Sequence, residues 1–151
     1  MWKILLSTAA ALYAAQTPTF AANAGIEQIH VIEHPKGEET AHVGSGADNR
    51  GDILTFANEV YDSADRNKVG TDQGVCFRIS VGKSYECFWT LFLADGQITV
   101  EGPFYDASDS TLAVTGGTGK YAGARGSMTI HARDAKGSEY DFVYTVSHAG
   151  K

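Results

Sequence analysis

The sequence predicts an all-β protein, an eight-stranded antiparallel barrel, and three observations carry that prediction. Turn signals rich in Gly, Asp and Asn recur about every ten residues. The segments between them alternate apolar and polar side chains with the period of a strand. No segment after residue 24 carries the apolar stripe of an amphipathic helix. Eight antiparallel strands close into a barrel whose interior is filled by side chains or holds one small ligand.

The start of the chain follows another pattern. Met1-Trp2-Lys3 brings one positive charge, residues 4–15 are a short apolar run, and Ala22-Asn23-Ala24 fits a small-x-small cleavage site. That order is the order of a secretory signal peptide, and the run is too short for a membrane span. The alternative is a buried N-terminal helix. The expected organisation is a signal peptide over residues 1–24 and a single domain over residues 25–151, in a secreted or periplasmic protein. Loss of Lys3 with the leader changes the formal charge from −6 to −7. A mildly acidic chain without clustered Lys or Arg is a poor partner for nucleic acid or an anionic membrane. Small apolar ligands fit it better.

The strands follow in order. The first covers residues 27–34. Residues 35–50 are polar and rich in Gly, Ala and Asp, which predicts a mobile loop. Gly51-Asp52 opens a strand over 53–61. Its even positions, Leu54, Phe56, Asn58 and Val60, form an inward face with one polar tooth. Residues 62–72 read as a charged loop. Segments 73–81 and 84–93 form a hairpin turning at Gly82-Lys83. In the second of these, Tyr85, Cys87, Trp89, Leu91 and Leu93 share one face, while Phe88 and Phe92 occupy the other. A strand apolar on both faces is covered outside by a partner chain or by a loop. Strands over 97–101, 110–115, 125–133 and 139–146 complete the set.

Cys76 and Cys87 lie on the two arms of that hairpin. With a two-residue turn, Cys87 faces Arg78 and the cysteines are diagonal neighbours. A slip of register brings them opposite. A disulfide and a pair of separate buried thiols both remain open.

Other motifs resolve into structure. Gly117-x-Gly119-x-x-Ala122 matches the loose dinucleotide fingerprint, but Gly123 and Gly126 interrupt the helix that the motif requires. Glycines there permit positive φ and close strand crossing. Beyond His30-x-x-x-His34 the histidines have no metal-ligand spacing, and no metal site is expected. The inward faces gather Glu33, Leu54, Phe56, Asn58, Cys76, Tyr85, Trp89 and Phe104. A mostly apolar cavity with one carboxylate, one amide and one thiol suits an apolar ligand steered by few polar groups. The plainer alternative puts Glu33 and Asn58 in rim hydrogen bonds, with the aromatics filling the barrel.

Several stretches resemble a known family. "ITVEGPF" followed by "TLAVTGGTGKYAGARG" is similar to the second half of the allene oxide cyclase barrel, and "VTGGTGKYAGARG" also resembles the closing motif of plant dirigent proteins. "GDILTFANEVYD" resembles the cyclase segment with a lumen aromatic and asparagine, here Phe56 and Asn58. "VGTDQGVC" places Cys76 at the family's lumen cysteine, and "YECFW" places Tyr85 at a lumen aromatic. "VEGPF" puts Phe104 where plant cyclases have tyrosine, one hydroxyl fewer. "VIEHP" places Glu33 on the family's first-strand glutamate or on a polar lumen position two residues away. Both choices point it inward, because the strand period is two. The dirigent His-Asp pair is replaced by His34-Pro35.

The resemblance implies a barrel of the allene oxide cyclase/dirigent type, closed like a lipocalin, and a homo-oligomer, a trimer. It also implies a cofactor-free isomerase or cyclase acting on an apolar substrate. Glu33 and Asn58 would be catalytic; Leu54, Phe56, Cys76, Tyr85, Trp89 and Phe104 would shape the substrate site. Glu33 would stabilise charge and Asn58 would hold a water or an oxygen. A non-catalytic carrier of a hydrophobic ligand and a dirigent-like guide for radicals made by an oxidase are the alternatives.

Overall fold

A computed structural model describes residues 25–147; the expected leader lies outside the described residues. Nine strands are present and no helix among the described residues: β1 (Ile26–His34), β2 (Glu38–Ala41), β3 (Ile53–Asp62), β4 (Lys68–Ser80), β5 (Ser84–Leu93), β6 (Gly96–Tyr105), β7 (Ser110–Gly119), β8 (Arg125–Ala132) and β9 (Tyr140–Ser147). All neighbours are antiparallel. From β3 to β9 each strand pairs with the next, β9 pairs with β1, and β1 pairs with β3. That last pairing closes an eight-stranded barrel, and β2 is an extra strand on β3. The predicted fold class is the observed one.

Strand β3 serves two partners along one edge. Residues 53–56 pair with β2 and residues 59–62 pair with β1. The chain leaves β1 at Pro35, which has no N–H to offer a ladder. It returns as β2 three residues later. Gly37 makes that turn possible at close range, since a Cβ there would meet the carbonyl oxygen of Ala57 at 2.4 Å. The expected mobile loop over 35–50 is therefore partly strand. Its remainder is tied down by Asp52, which accepts from the backbone N–H of Val43 and of Asn49 and meets His42 Nδ1 at 2.6 Å. Burial opposes ionisation of Asp52, but these donors outweigh it and hold its pKa at about 2.

The expected charged loop over 62–72 is shorter than the sequence suggested. β4 begins at Lys68, so Asp72 lies within the strand and is buried. Charge alone misled the reading: the polar residues alternate with inward positions. The β4–β5 hairpin also differs from the expected two-residue turn. Ser80 pairs with Ser84 across a three-residue connection with Gly82 at φ 64°, and a register shift falls between Arg78 and Ser80. Arg78 then pairs with Tyr85, and Cys76 stands opposite Cys87. The two form a disulfide with Cα atoms 4.0 Å apart.

Side chains from all strands meet in the centre. Leu91, Ile98, Val100, Leu112, Val114, Met128, Tyr144 and Val146 are buried and fill one half of the interior. Tyr121 and Ala124, from the β7–β8 turn, are buried against the same core. The glycine cluster lies at the end of β7 and permits this close packing. A Cβ on Gly117 would sit 2.4 Å from the carbonyl oxygen of Tyr121 and 2.6 Å from that of Gln97. On the outside of β4 and β5, Phe77 and Phe88 touch with ring centroids 6.2 Å apart, and both remain partly exposed. Among the described residues no loop shields Phe88, which is 48% exposed.

The disulfide closes a short loop, for which chain-entropy arguments give about 3 kcal/mol. The double substitution Cys76→Ser/Cys87→Ser should lower unfolding stability by about 2–4 kcal/mol in urea titrations. A stability gap that persists when both proteins are titrated under reductant would show that packing, not the cross-link, is responsible.

Candidate functional site

The half of the barrel not filled by the core contains a cavity of about 120 Å³. Its walls are Leu54, Phe56, Trp89, Phe104, Ile130, Tyr140 and Phe142, with the disulfide between Cys76 and Cys87 set into one side. The rings pack edge to face: Phe56 to Trp89 at 5.9 Å and Phe104 to Tyr140 at 6.0 Å between centroids. Space for the indole comes from Gly74. It faces Trp89 across the ladder, and a Cβ there would lie 2.3 Å from Cβ of Trp89. Glu33 and Glu38 are the two acids that line the cavity.

Glu33 is 5% exposed and sits at the end of β1. Asn58 Nδ2 donates to its Oε1 at 2.8 Å. The same amide accepts at Oδ1 from the backbone N–H of Lys36 and of Gly37, each at 2.9 Å. Asn58 therefore spans the gap between β1 and β2, and all its strong hydrogen-bonding positions but one are in use. Three of its positions hold Glu33 and the turn, which leaves one donor for the water or oxygen expected of it.

A second acid lies beside the first. Asp72, across the ladder from Asn58, is 1% exposed, and neither of its oxygens has a hydrogen-bond partner of normal geometry. Burial raises the Glu33 pKa well above the usual carboxylate range, and the charge of Asp72 raises it further against the opposing effect of Asn58. Burial also pushes Asp72 up to about 7. Two buried carboxyls this close cannot both ionise at little cost, so the pair retains a proton near neutrality. The hydroxyl of Tyr144 lies 3.4 Å from Trp89 Nε1; burial raises its pKa strongly, and the two acids contribute.

The structure brings Glu33, Leu54, Phe56, Cys76, Trp89 and Phe104 together around one cavity, with Asn58 directly behind Glu33. Two expectations change. Cys76 presents a disulfide sulfur, not a thiol. Tyr85 points inward but does not line the cavity, because its ring lies against the Arg78 guanidinium, 3.6 Å from ring centroid to Cζ. Arg78 in turn donates to both oxygens of Asp106 at 2.7 Å, and its Nε lies 2.7 Å from Asp48. Asp72 was missed, although a signal was present. It stands four residues before Cys76, and strand period two puts both on one face.

Outside the lumen, a broader depression of about 680 Å³ lies over residues such as Ala57, Gln73, Phe88, Thr90 and Thr115. It is open and has Glu101 as its one charged residue, so we place the site in the lumen. His30 and His34 do not converge: the first bonds Asp141 at 2.8 Å and the second Asp65 at 2.7 Å. Glu139 joins His34 and Asp65 in a cluster with the spacing of metal ligands. Arg133 already serves it as a cation, 3.4 Å from Asp65 and 3.1 Å from Glu139.

The class that this architecture defines is the small closed antiparallel β-barrel, here with an aromatic lumen and a buried acid pair. The sequence profile described as Allene oxide cyclase matches residues 32–144, and the chain belongs to that family. Solved structures with the same fold include a pyocyanin demethylase, 23% identical over 79% of this chain and 99% of that one, with TM-score 0.67. The pterocarpan synthase dirigent protein PsPTS1 is 20% identical, over 84% of this chain and 97% of its own, with TM-score 0.66. The Diels Alderase AbmU from Streptomyces koyangensis is 13% identical, over 85% and 71%, with TM-score 0.67. At these identities the likeness is one of fold.

Two predictions follow from the acid pair and its support. Between the ordinary carboxylate range and about 7, the folded chain holds a proton that the unfolded chain has released. Stability should therefore fall as pH rises from about 5 to about 8. Asp72→Asn should flatten that slope and stabilise the protein at the upper end, read as denaturation midpoints across the series. An unchanged slope in the variant would place its origin elsewhere. Asn58→Ala removes the partner of two backbone donors and of Glu33, and should cost about 2–4 kcal/mol.

Proposed function

We propose that the barrel admits a largely apolar small molecule to its lumen and steers it through a ring closure or isomerisation without a cofactor. The observation that carries this reading is the buried carboxyl of Glu33, held by Asn58 at a cavity whose other walls, apart from Glu38, are aromatic, aliphatic or disulfide. Family membership supports it, as do neighbours of the same fold described as a Diels Alderase and as a cyclase of a [4 + 2] cycloaddition.

Such a site works by holding reacting groups in one conformation and excluding water. Glu33 is the group that touches substrate. With its proton it donates a hydrogen bond to an oxygen that gains negative charge. Sharing that proton with Asp72, it offers one net negative charge to a developing cation. Asp72 and Asn58 are positioning residues. Leu54, Phe56, Trp89, Phe104 and the disulfide at Cys76 shape the cavity, and Tyr140 and Phe142 join them.

A second reading has support in the site. With the thiols oxidised and Phe104 lacking a hydroxyl, few polar groups reach the cavity. That suits a guide with no chemistry of its own, one that orients radicals made by a separate oxidase. Product formation with and without an added oxidant separates the two readings. We also place the protein outside the cytoplasm as a homo-oligomer. The disulfide favours an oxidising compartment, and the exposed Phe77, Ile79 and Phe88 favour self-association, in a trimer as the family resemblance implies.

Native mass spectrometry of protein from its own host, followed by organic extraction, should identify a bound apolar molecule. Glu33→Gln should then abolish turnover of that compound and leave the fold intact by circular dichroism. Full turnover in the variant would remove Glu33 from the mechanism.

A further inference from the structure

The charges around the lumen are one-sided. The cavity walls contain Glu33 and Glu38, and no Lys, Arg or His lines them. Asp72 adds a second buried carboxyl beside Glu33, with no hydrogen-bond partner of normal geometry at either oxygen. The buried cation Arg78 is committed to Asp48, Asp106 and the ring of Tyr85. A hollow of about 540 Å³ adjoins the cavity, with which it shares Phe104, Ile130 and Tyr140. Asp106, Asp109, Asp134 and Lys136 line that hollow; Asp106 is paired with Arg78, and Asp109 meets His131 at 2.8 Å. Hydrogen bonds from Ser138 and from the backbone of its own loop hold the Asp134 pKa below the usual range, so it is ionised.

A ligand with a carboxylate end would bring a further negative charge beside two buried acids that already share few donors, and no cation lines the cavity to receive it. A positive centre has the opposite fit. It would sit beside the Glu33–Asp72 pair and against the faces of Phe56, Trp89 and Phe142, where aromatic quadrupoles favour cations. The cavity is comparable in size to one of about 150 Å³ known to take benzene, so its guest is at most one ring and any larger group must extend outside it.

Building on the lumen site proposed above, we infer that the ligand's leading end is one aromatic ring carrying a positive or protonatable centre, and that carboxylate-ended ligands are excluded. Glu33 and Asp72 supply the counter-charge. The titratable groups facing the pair are Glu38 from β2 and Tyr140 and Tyr144 from β9; Asn58 from β3 and Trp89 from β5 complete the surroundings.

The test is calorimetric titration of the whole protein with three probes of similar shape: N-methylpyridinium, toluene and benzoate. At pH 8 the cation should bind about tenfold or more tightly than toluene, and benzoate should not bind. The cation's affinity should rise from pH 5 to pH 8 as the pair loses its proton, while toluene's stays level. Asp72→Asn should remove most of the preference. If that variant does not fold, the pH series on the unaltered chain decides alone. Equal affinity for cation and toluene, or binding of benzoate, would overturn the charge preference while leaving a ligand-binding lumen. Failure of all three probes to bind would overturn the lumen reading itself, and this inference with it.

Discussion

The side chain of Asn58 joins parts of the barrel that the backbone ladder leaves apart. Between β1 and β2, the edge of β3 loses regular partners where Pro35 interrupts the chain. An amide carries an acceptor and donors at opposite ends, so Asn58 can replace a missing rung and still reach inward. Its acceptor fixes the turn at Lys36 and Gly37, and its donor fixes Glu33. The turn from β1 into β2 and the orientation of the lumen acid thus depend on one side chain. Aspartate there would lose the donor and add a third buried acid. Leucine would lose all three hydrogen bonds.

Much of this was legible in the sequence. Period-two alternation gave β3, β5 and β9 their inward faces, and turn residues spaced the strands. Glu33, Phe56, Trp89 and Phe104 follow from that pattern together with the family resemblance. What remained hidden depends on register and on contacts distant in sequence. Asp72 lies in a stretch whose charge resembles a loop, and only its spacing from Cys76 marks it as inward. The cysteine pairing turned on two single-residue shifts, the three-residue connection and the β4 bulge, which local sequence does not encode strongly. Tyr85 was assigned to the right face. It is withheld from the cavity by Arg78, whose acidic partners come from two other loops, at Asp48 and Asp106.

The site also shows how the barrel divides its interior. Branched and aliphatic side chains pack one half to near solidity, and the aromatic half keeps a ring-sized space. Gly74 sets the boundary. By giving up its own side chain it lets Trp89 lie across the lumen, where the indole forms part of the cavity wall and meets Tyr144 behind it. The acids sit along this boundary, away from bulk water, where a retained proton is worth most.

The disulfide is part of the cavity wall as well as a cross-link between β4 and β5. The surroundings in which the chain folds therefore decide what a bound molecule touches. In the oxidised chain the lumen presents inert sulfur. In a reduced chain the same two positions would present a pair of thiols to an electrophilic guest, a nucleophilic surface in place of a passive one. The redox condition of the compartment thus sets the chemical character of the chamber as well as the stability of the shell around it.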